Sequence, residues 1–146
     1  MDEHDRRLEE WASLIGRFIL AFGEIELATF ILWRQYYGEQ LPSHNFKERT
    51  GAVLARLRND HGHKRQLVSD LESALRLADK RNTVAHHPMC VQVFKHIITD
   101  EIALEFAIKS EIGDDYIDDQ ELRRLGIETR HLVASIYASL RHEASE

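Results

Sequence analysis

Arg81, Asn82 and His86 are the residues whose types and spacing could do chemistry. An arginine guanidinium is always charged and can clamp a phosphate through its planar fork. Histidine is the side chain best suited to moving protons near neutral pH. Arg81 and His86 lie five positions apart at the end of a strongly helical segment. That pairing suits cleavage of a phosphodiester, and RNA is the substrate its chemistry points to. Lys80, Arg76 and His87 surround it as candidate substrate contacts.

Four helices have to position this group. From Leu8 to Tyr36 apolar residues recur in steps of three and four: Leu8, Trp11, Ile15, Phe18, Phe22, Ile25, Leu32 and Tyr36, with Thr29 interrupting the seam. The period is that of one long amphipathic helix, ended by Gly38 and the Leu41-Pro42-Ser43 stretch. Leu20, Leu27, Ile31 and Trp33 widen its apolar stripe, so it should contact more than one neighbour. Gly16 and Gly23 would let a second helix approach closely. A second helix is expected from Asn45, with Glu48 placed as in a capping box and Phe46, Val53, Leu54 and Leu57 inward. The loop 59–63 closes it. A third runs from Lys64 to His86 with Val68, Leu71, Leu75, Ala78 and Ala85 inward, and Pro88 disfavours helical geometry beyond it. Segments 91–98 and 102–108 alternate β-branched and aromatic residues around Thr99-Asp100-Glu101 and read as a hairpin. A last helix spans Asp118 or Asp119 to Leu140 through Leu122, Leu125, Leu132, Ile136 and Leu140. The sum is one domain, 1–146: an all-α, up-down bundle of about four helices with a hairpin at about 90–109 between the third and fourth.

On an ideal helix Asn82 and His86 fall on the stripe that carries the core, and Arg81 borders it. Polar groups there must be paired or wet, so the stripe is expected to open into a polar cleft. Arg81 and His86 diverge by about 140° on a strict helix. Either the last turn unwinds, or a second subunit supplies the facing half. The competing reading is structural: the arginine anchors a carboxylate, the asparagine bonds a loop, and the histidine caps the last carbonyls.

Charge supports a site for a polyanion. The formal net charge is −6, but the stretch from Lys47 to His96 carries +5 and the remainder −11. Five of the nine histidines fall there too. A basic zone on an acidic protein can steer a polyanion to one place; solvated helix faces are the bland alternative. One cysteine, Cys90, excludes an internal disulfide framework and fits a reducing, cytoplasmic setting. No apolar run of membrane-spanning length and no secretory leader is apparent.

The Arg81-Asn82 pair followed by His86 resembles the Arg-x4–6-His motif of the HEPN superfamily, in which Asn often follows the Arg. The Phe22-Gly23-Glu24-Ile25-Glu26 stretch is similar to the opening helix of small prokaryotic HEPN proteins. The resemblance implies a helical bundle that pairs as a homodimer, bringing two motifs into one cleft. It also implies a metal-independent endoribonuclease needing no cofactor, of toxin–antitoxin or antiphage type with a cognate antitoxin protein as partner, or else a non-catalytic module. Carried onto this chain, His86 would take the proton of a ribose 2′-hydroxyl or give one to the leaving 5′-oxygen. Arg81 would hold the phosphate, and Asn82 would orient the phosphate or the imidazole. The tyrosine found two positions after the motif histidine in one HEPN subgroup is Pro88 here, so the modification that depends on it is not expected.

Other candidates are weaker. His86-His87 and His61-x-His63 lack a supporting thiolate cluster for zinc. Cys90 has no activating neighbours in sequence. The acidic run from Asp114 to Glu121 lacks the glycine and spacing of a calcium loop and is explained by capping of the last helix.

Overall fold

The computed structural model describes residues 2–60, 64–87, 89–109 and 116–144. The His61-x-His63 pair, Pro88 and Asp114-Asp115 lie outside these, as do the side chains of 89–94, Cys90 among them. The described residues form α1 (Glu3–Tyr37), α2 (Phe46–Asn59), α3 (Arg65–His86), β1 (Met89–Lys95), β2 (Ile102–Lys109), β3 (Tyr116–Asp118) and α4 (Asp119–Ala144). This is the expected mostly helical bundle with a β-hairpin inserted between the third and fourth helices. Among the described residues no helix is long and apolar enough to cross a membrane.

Helix α1 begins five residues before the first seam residue because Asp2 caps it, its carboxylate accepting from Asp5 N at 2.8 Å. Gly38 ends it at φ +61°, donating its N–H to Arg34 O; that left-handed backbone favours glycine. Helix α2 starts at Asn45, whose side chain accepts from Glu48 N at 3.1 Å. The return half of the capping box is rerouted: the Glu48 carboxylate accepts from Ser43 Oγ, and Ser43 Oγ accepts from Asn45 N.

The core runs through all four helices. Trp11, Phe18, Phe22, Ile25 and Leu32 of α1 meet Phe46, Val53, Leu54 and Leu57 of α2, Leu67, Leu71 and Leu77 of α3, and Leu122, Leu125 and Ile136 of α4. Phe22 and Phe46 meet edge to face at 5.0 Å between centroids. Helix α1 does contact more than one neighbour, packing on α2, α3 and α4, but Leu20, Leu27 and Ile31 of the widened stripe are exposed. One expectation is corrected here. On α3 the buried stripe is Leu67, Asp70, Leu71, Ala74, Leu77, Ala78, Thr83 and Val84. Val68 and Leu75 are only half buried and Ala85 is exposed. Asp70, on this inward stripe, is satisfied by the Ser135 hydroxyl of α4 and by Gln66.

The hairpin pairs antiparallel in the register Met89↔Ile108 to Lys95↔Ile102. Its first strand stops three residues earlier than the alternation suggests. The His96 ring accepts from Ile98 N and Thr99 N, and Asp100 takes φ +57°, so 96–100 is a turn. A third strand that the sequence reading missed, β3, joins β2 through Ala107↔Asp118 and Lys109↔Tyr116, giving the order β1-β2-β3. Three residues are too few for alternation to register. The sheet seats Phe106, Ala107, Ile108 and Ile117 on the bundle. Asp118 then caps α4, accepting from Glu121 N at 2.8 Å.

Candidate functional site

Helix α3 stays α-helical through His86, and His87 is already extended, with its N–H donating to Thr83 O at 3.1 Å. The last turn therefore does not unwind. Within one copy, Arg81 and His86 are thus not brought together by an unwound turn.

Orientation follows from the true core register. Asp70, Ala74, Leu77 and Val84 lie inward, and Arg81 completes their steps of three and four. It points to α1, where its Nη1 donates to Glu26 Oε1 and its guanidinium lies 4.6 Å from the Phe22 ring centroid. The pair is half buried, with 23% and 30% of the two side chains exposed. Arg81 Nε is buried and finds no partner among the described residues. Asn82 and His86 point the other way. They are exposed, one turn apart on the outer edge of the helix tip. The expectation that these two sit on the core stripe with Arg81 at its border is thus reversed, because the stripe was assigned from Val68 and Leu75 rather than Leu67, Ala74 and Leu77.

The arginine-anchors-a-carboxylate reading accordingly holds for Arg81, and does not extend to the other two. Neither Asn82 nor His86 has a hydrogen-bond partner among the described residues. Arg76 is exposed and donates to Ser73 Oγ at 2.8 Å. Lys80 is half buried, near enough to α4 to act electrostatically on Glu121. His87 is half buried at the helix end. His86 and Arg76 share the outward side of α3, while Arg81 faces the interior.

A residue that sequence reasoning missed dominates the inward side. Arg49 of α2 is 1% exposed. Its Nε donates to Thr29 Oγ1 and its Nη1 to Ser43 O, both at 2.8 Å. The guanidinium carbon lies 3.7 Å from the Phe30 ring centroid. Burial, and then the like charge of Arg81, push its pKa down, and Glu26 opposes them. Glu26 thus serves two guanidiniums, and Arg49 Nη2 joins Arg81 Nε as a buried donor without a partner among the described residues. The sequence did carry a signal for this. Thr29 breaks the α1 seam, and it is the hydroxyl that receives Arg49.

Half of the ten cations of the basic zone are ion-paired among the described residues. Lys47 pairs with Asp79, Arg58 with Glu72, Lys64 with Asp60, Arg81 with Glu26 and Lys95 with Asp100. Arg56 donates to Tyr36 O and lies over the Tyr37 ring. Asn82 and His86 stay open at the helix tip, and Arg76 is exposed nearly three turns back along α3. No family model, curated protein or solved structure matches the chain.

Proposed function

We propose that this chain is a HEPN-like, metal-independent endoribonuclease in which His86 moves the proton of the reaction. The observation that carries this reading is the unused hydrogen-bonding capacity of Asn82 and His86 on one open edge of the α3 tip. An exposed imidazole, one turn from a carboxamide that orients the phosphate, can accept the proton of a 2′-hydroxyl as its oxygen bonds to phosphorus. The bond to the 5′-oxygen breaks, and that oxygen takes a proton from the imidazolium or from water. Arg81 of the same chain is turned away from that phosphate. Its part is then to fix the helix tip through Glu26, or to reach the substrate of a facing copy. Because the nucleophile is the substrate's own 2′-hydroxyl, RNA should be cut in the presence of a chelator, leaving a 2′,3′-cyclic end, while DNA of the same sequence stays whole. His86→Ala should slow cleavage by about 100-fold or more. RNA cleaved equally well by His86→Ala protein would refute the assignment.

One observation favours a second reading. The Arg81–Glu26 pair leaves the only arginine of the motif partly neutralised, which suits a non-catalytic module that binds nucleotide, RNA or a partner protein through the same edge. RNA retained in a filter-binding assay but never cleaved would favour that module.

A further inference from the structure

The outward face of α1 is a second apolar seam, opposite the buried one. Gly16, Leu20, Gly23 and Leu27 recur at steps of four, three and four. Leu20 is 75% exposed and Leu27 55%. A side chain built at Gly16 or Gly23 would meet nothing within 4 Å. The seam continues sideways into a groove of about 670 Å³ between α1 and α4, lined by Leu14, Leu20, Leu122 and Ile127. Ile127, at 62% exposed, is its outer wall. Arg17, Arg123, Arg130 and His131 also line the groove, and an exposed, mainly apolar surface rimmed by polar residues is the mark of an interface.

We propose that this seam is the face on which two copies of the chain pair, α1 running antiparallel to α1 about a two-fold axis between residues 21 and 22. An isologous contact must be self-complementary, and this register is. It sets Leu20 on Gly23 of the partner subunit and Leu27 on Gly16 of the partner subunit, and the axis repeats both contacts. Large residues fill the hollows left by small ones at every layer. It is the one antiparallel register that seats both leucines on glycines. Charge agrees independently. Glu9, on the same seam, falls opposite Arg34 of the partner subunit, and Arg17 flanks Glu24 of the partner subunit. A parallel pairing would stack leucine on leucine, leave voids between glycines, and place Arg17 beside its own copy and Glu24 beside its own copy. In the antiparallel pair both copies of α4 lie on one side of the α1 seam. Glu26, and with it Arg81, lies on the other side in both copies.

The pairing stands apart from the RNA reading and can fail without it. Sedimentation of the intact chain at micromolar concentration should give twice the 17.0 kDa chain mass. Leu20→Glu with Leu27→Glu should return it to the single mass with an unchanged helical circular-dichroism spectrum, since both side chains are exposed. Glu9→Arg should weaken the dimer about tenfold or more by setting like charges opposite, and adding Arg34→Glu should restore it. In a Cys90→Ser background, Gly16→Cys with Leu27→Cys should form a disulfide dimer on oxidation. Eleven residues span about 16 Å of helix, too far to bridge within one chain. Gly16→Cys alone should stay uncrosslinked. A wild-type monomer, a dimer indifferent to the two glutamates, or efficient crosslinking by Gly16→Cys alone would each overturn the proposal. A monomer that still cuts RNA would overturn the pairing and leave the nuclease reading standing; an inactive dimer would do the reverse.

Discussion

The inner and outer polar edges of α3 carry the same motif and obey different physics. On the inner edge Glu26 serves the half-buried Arg81 and the fully buried Arg49, and Arg81 Nε and Arg49 Nη2 find no partner among the described residues. On the outer edge the side chains of Asn82 and His86 are exposed and have no hydrogen-bond partner among the described residues. The difference teaches that spacing along a helix does not give orientation. About one and a half turns separate Arg81 from His86, which is enough to put one in the interior and the other in water. Stability and chemistry should therefore separate cleanly between the two edges.

The sharpest break falls at Arg49. Truncation to alanine strips Thr29 Oγ1 and Ser43 O of their donor and empties a fully buried site. Urea unfolding should show a loss of about 3–5 kcal/mol. Arg49→Met should recover much of this, because a well-packed apolar chain of similar length avoids the cost of a buried charge. Should Arg49→Ala unfold within about 1 kcal/mol of wild type, the inner cluster would not be structural.

Arg81 is next. Arg81→Met and Glu26→Gln should each destabilise by about 1–2 kcal/mol, less than a fully buried pair because both side chains keep solvent contact. In a double-mutant cycle the two losses should fall short of additive by about 1 kcal/mol, the signature of direct coupling. Strict additivity would dissolve the pair as an energetic unit. The cycle also guards the functional reading, since any loss of RNA cleavage in Arg81→Met has to be corrected for its lower stability.

These two edges also mark how far the sequence could be read. The long-period signals held: the α1 seam, the Asn45 cap, the stop before Pro88 and the Asp118 cap of α4 all rest on several residues or on one strong local preference. The α3 face did not. Val68 and Leu75 against Leu67 and Ala74 are a rotation of one residue, and with apolar residues on both lines either stripe is plausible until α1 and α4 choose. Asp70 and Arg81 look like surface residues by type, yet both occupy inward positions because Ser135 and Glu26 meet them from other helices. Such partners are 65 and 55 positions away in sequence, and no local pattern encodes them. The strand β3 and the turn at 96–100 escaped for the opposite reason, being short and local with weak alternation.

A surface pair calibrates the scale. Arg124 holds Glu121 through a hydrogen bond that keeps the carboxyl below its usual range, burial opposing it. A depressed carboxyl adds stability above the ordinary carboxylate pKa and loses it as pH falls through the folded value. Both groups are solvated, so Arg124→Ala should cost only about 0.5 kcal/mol at neutral pH. In thermal melts taken down a pH series, the gap between Arg124→Ala and wild type should close in strong acid.

The smallest expected change in stability belongs to the outer edge, and there the sign is informative. Alanine is a better helix former than asparagine by about 0.6 kcal/mol, and the Asn82 side chain has no bond to lose among the described residues, so Asn82→Ala should raise the midpoint of unfolding slightly. His86→Ala replaces an exposed side chain with a better helix former. It should leave stability within about 0.5 kcal/mol of wild type. A structural polar pair would behave otherwise, since removing a bonded side chain costs free energy. If Asn82→Ala and His86→Ala fold as well as the parent or better and yet lose RNA cleavage, the chain keeps those two residues for something outside itself. If either unfolds early, the edge is bonded to a part of this chain, and the proton-transfer role assigned to His86 has to be given up.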